Sequence, residues 1–160
     1  MGNWEPEETQ VAAEQHLGFA GSRCIELLIV ADNPDEVSLI REAFQHYHES
    51  IAANLRVSSD GAEALRLLLS GACRPDIILL DSGLPDVDVQ GMLVRLRSGG
   101  SWLKSVPIVV LSASNQNVQE IADSVASAYI VKPKSLTEYI RVMERFAIVW
   151  VKPLARAAAM

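Results

Sequence analysis

The stretch LLIVADNPDEV (residues 27–37) runs through apolar side chains, stops on one carboxylate, Asp32, and continues through Asn33 and Pro34 into further acid. Its first part belongs to IELLIVA (25–31), a strand-length run of Ile, Leu and Val without polar alternation, as in a strand buried on both faces. Its second part starts a helix. Asn33 is an N-cap, Pro34 suits the first helical position, and Glu36 stands where a capping-box acid reaches back to the cap. Val37, Ile40, Phe44 and Tyr47 then fall on one face. The stretch predicts a buried strand handing over to an amphipathic helix, with Asp32 at the junction.

The same grammar recurs along the chain. Strand-length apolar runs lie at NLRVS (54–58), DIILLD (76–81), VPIVVLSA (106–113) and AYIVK (128–132). Between them, Asp60 with Glu63 precedes Ala64, Leu65, Leu68 and Leu69, Asp88 precedes Met92, Leu93 and Leu96, and Ser135 with Glu138 precedes Tyr139, Ile140, Met143 and Phe146. A shorter helix is expected over 115–126, with Val118, Ile121 and Val125 facing inward. Five strands alternating with five helices predict an α/β fold: a five-stranded parallel sheet with right-handed crossovers and helices on both faces. In such a sheet a ligand sits beyond the carboxyl ends of the strands, where the strand order reverses.

With 160 residues, 49% hydrophobic and 21% charged, the chain suits one compact core. Residues 1–23 are polar and acidic and read as a mobile arm, 24–148 as the folded domain, and 149–160 as an extension of the last helix and a tail. The net charge of -6 and the lack of clustered Lys and Arg argue against nucleic acid and for a protein partner. The acidic start lacks a secretory signal and no run is long enough for a membrane span, so a cytoplasmic location is expected. Cys24 and Cys73 have no metal-ligand spacing and read as reduced thiols, and His46 and His48 as surface residues at a helix end. The run FAIVWVKPLARAAAM (146–160) is apolar nearly all round until Pro153, which is expected to interrupt it. It suggests a homodimer or partner contact through Phe146 and Trp150, with no room for a separate output domain.

Four chemistry-bearing residues fall at predicted strand ends: Asp32, Asp81, Ser112 and Lys132. A parallel sheet brings them to one edge. Together, LLIVADNPDEV, PDIILLDSGLP, PIVVLSAS and AYIVKP resemble the receiver domain of two-component response regulators over residues 25–146, in its stand-alone form. The resemblance implies the flavodoxin-like strand order 2-1-3-4-5 and acceptance of a phosphoryl group from a histidine kinase or phosphotransfer protein. It also implies an altered contact with a downstream protein as the signal. By position, Asp81 is the phosphoacceptor, and Ser112 and Lys132 contact the phosphoryl group. Asp32, Asp81 and the backbone carbonyl of Gly83 hold Mg²⁺. Ser112 and Tyr129 form the switch, and the Lys132–Pro133 bond is a candidate cis peptide. The chemistry suits the roles: an aspartate can attack phosphorus to give an acyl phosphate, and Mg²⁺ and an ammonium offset the mutual repulsion of the anions.

The chain also departs from the family pattern. The residue before Asp32 is usually a second acid and here is Ala31, so a weakened Mg²⁺ site is expected. Val89 stands where glycine is common, and the stretch between Ser114 and Tyr129 is short and lacks the usual glycine. These changes set a phosphorylated receiver beside an alternative, a degenerate receiver acting as a phosphorylation-independent interaction module. Enzymes on related folds fit less well, because Gly83 occupies the place of a dehalogenase-type phosphatase's second acid. Asp32, Asn33 and Pro34 replace a flavin carrier's phosphate loop.

Overall fold

The computed structural model describes residues 24–45, 52–113 and 126–158. The N-terminal arm, His46, Tyr47, His48 and the expected helix bearing Val118, Ile121 and Val125 lie outside them. Strands β1 (Ile25–Val30), β2 (Ala53–Ser58), β3 (Ile77–Asp81), β4 (Ile108–Ser112) and β5 (Ala128–Val131) form one parallel sheet in the order β2-β1-β3-β4-β5. The described helices are α1 (Pro34–Gln45), α2 (Gly61–Ser70), α3 (Val89–Arg97), α4 (Leu136–Phe146) and α5 (Lys152–Ala158).

The missing alternation in the strands has a direct cause. Ile25, Leu27 and Ile29 of β1 pack in one cluster with residues of α1 and α4, among them Ile40, Phe44, Met143 and Phe146. Leu28 and Val30 pack in a second cluster with Leu65 and Leu68 of α2 and Met92, Leu93 and Leu96 of α3. Both faces of the sheet are therefore covered, and each fully buried Leu or Ile contributes about 1.5–3 kcal/mol. Val89, in the position where glycine was the family expectation, begins α3 and is buried in the second cluster.

Three of the anticipated helix starts form as expected. The Asp60 carboxylate accepts from the Glu63 amide at 3.1 Å, the Asp88 carboxylate from Gly91 at 3.2 Å, and the Ser135 hydroxyl from Glu138 at 3.1 Å. Each such cap is worth about 1 kcal/mol. At α1, Asn33 caps through the Asp35 amide at 2.9 Å, but Glu36 does not complete a capping box. Its carboxylate turns toward Lys132 and Tyr139.

The C-terminal segment needs two corrections. Pro153 does not end the helical path: a π-helical turn, Ala147–Val151, widens the backbone and α5 continues through Pro153. The Lys152 amide donates to the Ala147 carbonyl, and proline in the next turn sits where its missing donor is tolerated. Phe146 is not available to a partner. It is 2% exposed and meets Phe44 edge to face at 6.2 Å between ring centroids, tying α4 to α1. Trp150 is half-buried against the same cluster, while Ile148 and Val149 are exposed.

Candidate functional site

The carboxyl edge of the sheet gathers the residues named from the sequence. Asp81 is the last residue of β3, and its backbone register with Leu111 puts it one residue short of Ser112, the last residue of β4. Ser112 is fully buried, and its carbonyl accepts the Lys132 amide at 2.7 Å, which carries the β4–β5 pairing one residue past the strand and fixes where Lys132 begins. Ala31 follows Val30, the register partner of Leu80, so the alanine sits alongside Asp81. It shares the cluster of Ile29 and Leu79, on the α1 and α4 side of the sheet.

Asp81 is 4% exposed and strongly engaged. Its Oδ1 accepts from the Gly83 amide at 2.9 Å and from Lys132 Nζ at 3.0 Å. Among the described residues nothing donates to Oδ2. Lys132 Nζ also donates to Glu36 Oε1 at 2.8 Å, and the Tyr139 hydroxyl donates to Glu36 Oε2 at 3.2 Å. Burial pulls the Lys132 ammonium toward its neutral form, yet the hydrogen bonds to Glu36 and Asp81 outweigh it and leave its pKa above the ordinary lysine value. Burial first, and then the negative charge of Glu36, push the Tyr139 hydroxyl well above the usual tyrosine range, so it remains a donor.

The loop after Asp81 is held from the side. Asp86 accepts from the Ala62 amide at 2.9 Å and the Gly61 amide at 3.3 Å, covering donors at the start of α2. The hydrogen bond from Ala62 is the main reason the Asp86 carboxyl is shifted below its ordinary value. Gly61 permits this approach, since a Cβ there would come within 2.7 Å of Val87 Cγ2. The loop that carries Gly83 is thus pinned to α2.

The remaining expected site residues divide. Asp32 is exposed at the mouth of a cleft of about 390 Å³ lined also by Ala31, Pro34, Val37, Ser38 and Val57, and has no hydrogen-bond partner among the described residues. Tyr129 lies on the edge strand β5 and is 40% exposed. The Lys132–Pro133 bond is trans, a correction to the expected cis form, and trans is the intrinsically favoured isomer even before proline. Glu36 and Tyr139 were read as a capping acid and a core residue. Spacing alone gave no sign that Glu36 would meet Lys132, 96 positions away, or Tyr139, 103 positions away.

No three His, Cys, Asp or Glu side chains converge as a metal site among the described residues. The donors on hand, the Asp32 and Asp81 carboxylates and backbone carbonyls such as that of Gly83, are hard oxygens. They suit a cation such as Mg²⁺ that keeps several waters and needs few protein ligands.

Residues 27–144 match the family model of the response regulator receiver domain. The chain belongs to that family. The response regulator Rcp1 of Synechocystis sp. is 26% identical over 140 residues, covering 83% of this chain and 93% of that protein. The phosphorylated form of a cyanobacterial phytochrome response regulator, RcpA, superposes with a TM-score of 0.71 at 28% identity, covering 80% of this chain and 94% of that one. The receiver domain of a sensor histidine kinase from Pseudomonas aeruginosa, solved with magnesium coordinated in its active-site cleft, superposes with a TM-score of 0.60 at 25% identity, covering 77% and 97%. The strand order 2-1-3-4-5 is that of the receiver fold, and a receiver is a signalling domain.

Proposed function

We propose that Asp81 accepts a phosphoryl group from a histidine kinase or phosphotransfer protein, and that the modified domain signals through changed contacts with a downstream protein. One observation carries this reading. The buried Asp81 carboxylate has Oδ1 fixed by Gly83 and Lys132, while Oδ2 has no donor among the described residues. Oδ2 is the oxygen positioned to attack. The new bond joins Oδ2 to phosphorus, the bond from phosphorus to the donor's imidazole nitrogen breaks, and that nitrogen keeps the electron pair and takes up a proton. Lys132 stays at Oδ1 as a cationic partner for the acyl phosphate.

Asp32, Asp81 and the Gly83 carbonyl are the residues that would hold Mg²⁺, whose contribution is to neutralise charge between carboxylate and phosphoryl oxygens. With Ala31 in place of an acid, this cation would be held by fewer negative charges. Ser112 would contact a phosphoryl oxygen, and Tyr129, 40% exposed on the edge strand, would move inward in response. Relatives that carry phosphate or a cation in this fold support the reading. Association of two copies through Trp150 and the exposed Ile148 and Val149 belongs to the same proposal, and is tested by light scattering before and after phosphorylation.

Ala31 is the observation that bears most directly on an unphosphorylated interaction module. The test is intact mass after incubation with acetyl phosphate, for this protein and for Asp81→Asn. A single phosphoryl adduct absent from the mutant supports the acceptor role, and no adduct with acetyl phosphate or a phosphorylated phosphotransfer protein overturns it.

A further inference from the structure

An acid outside the residues expected at the site from the sequence is Glu36. It projects from α1 into the acceptor site, where its side chain is 19% exposed, beside Lys132 at 15% and Asp81 at 5%. The ammonium lies 2.8 Å from Glu36 Oε1 and 3.0 Å from Asp81 Oδ1, so two carboxylates share one cation. Tyr139 fixes the other Glu36 oxygen from α4, and the carboxylate is thereby locked in one orientation by two separate elements. At Ala31, next to Asp81, there is no charge at all.

We propose that Glu36 is a positioning residue for phosphoryl transfer: it draws Lys132 partly away from Asp81 and adds the negative charge that position 31 lacks. The proposal rests on the reading of Asp81 as acceptor. Its consequences have opposite signs for the two ions that meet at this site. Negative charge on Glu36 favours a cation at the Asp32 and Asp81 oxygens, and disfavours the approach of a phosphodonor anion. It also limits how far the Lys132 charge serves the incoming phosphoryl group. A role confined to joining α1 to α4 predicts something else, since loosening the site degrades cation binding and phosphoryl uptake together.

The test uses the full chain and the variants Glu36→Gln and Glu36→Asp. Mg²⁺ affinity is measured by titration calorimetry, and phosphorylation by intact mass against acetyl phosphate concentration at saturating Mg²⁺. In that reaction an Asp81 oxygen bonds to phosphorus, the bond from phosphorus to the acetate oxygen breaks, and acetate leaves with the electron pair. Removing one charge at this partial burial predicts, for Glu36→Gln, Mg²⁺ binding weaker by about three- to tenfold. The same variant is phosphorylated faster by about three- to tenfold. Glu36→Asp, which keeps the charge, stays within about twofold of the parent in both. Should Glu36→Gln not fold, Glu36→Met, apolar and of matching length, carries the same expectation.

Both constants unchanged in the uncharged variant, or both worsening together, overturns the proposal while leaving Asp81 as acceptor. A parent protein that takes up no phosphoryl group overturns the acceptor reading and this proposal with it.

Discussion

Two charged clusters, toward opposite ends of the same sheet, use their carboxylates differently. Near the amino ends, Glu26 has both oxygens engaged, one by Asn54 at 2.7 Å and the other by Arg56 at 3.1 Å, and the Glu26 backbone exchanges hydrogen bonds with Asp76 at 2.8 Å each way. At the carboxyl ends, Asp81 is more deeply buried, yet two donors crowd one oxygen and the other has none among the described residues. The first cluster joins β1 to β2 and the turn before β3, and both oxygens of its carboxylate are used, although the buried Asn54 Oδ1 and Arg56 Nε have no hydrogen-bond partner among the described residues. The second leaves Oδ2 without a donor among the described residues, at the sheet edge where a ligand or a reaction can use it.

The contrast can be broken most directly at Asp81. Asp81→Asn removes the proposed nucleophile, and intact mass should then show complete loss of phosphoryl uptake. A variant of Glu26, such as Glu26→Gln, should leave uptake unchanged. Next in size is Lys132→Met. It strands the buried Asp81 and half-buried Glu36 carboxylates without their shared cation and should cost about 3 kcal/mol in urea unfolding.

Ala31→Asp sharpens the picture from the cation side. A carboxylate beside Asp81 should tighten Mg²⁺ about tenfold by calorimetry. Because Ala31 is 2% exposed within the first core cluster, the metal-free protein should lose about 1–2 kcal/mol. Smallest is Arg56→Met, which breaks an ion pair whose side chains are 32% and 28% exposed. Unfolding should move by less than about 1 kcal/mol, with phosphoryl uptake unaffected.

Much of this architecture was legible from residue order. The runs at 25–31 and 76–81 carried apolar side chains at successive positions because both faces of the sheet are covered, and Asp60, Asp88 and Ser135 cap their helices as their spacing implied. Asp81, Ser112 and Lys132 could be read because each ends or follows a strand, and strand ends in a parallel sheet share one edge. Glu36 could not. Its local context, three residues after Asn33, is that of a capping acid, and only tertiary packing of α1 against α4 and the β5 terminus gives it Lys132 and Tyr139 instead.

Phe146 failed for a related reason. Helical periodicity shows which residues are apolar, but not which are already covered, and Phe44 covers Phe146. Pro153 was misjudged because a wide π turn can pass a proline that a regular helix interior would reject.

The measurement closest to the central claim is intact mass of this protein and of Asp81→Asn after acetyl phosphate treatment across a Mg²⁺ series. The account predicts one phosphoryl group per chain, dependent on Mg²⁺ at concentrations raised by the absence of an acid at Ala31, and none on the mutant. Equal labelling of both proteins, or none on either at any Mg²⁺ concentration and none from a phosphorylated phosphotransfer protein, would contradict it.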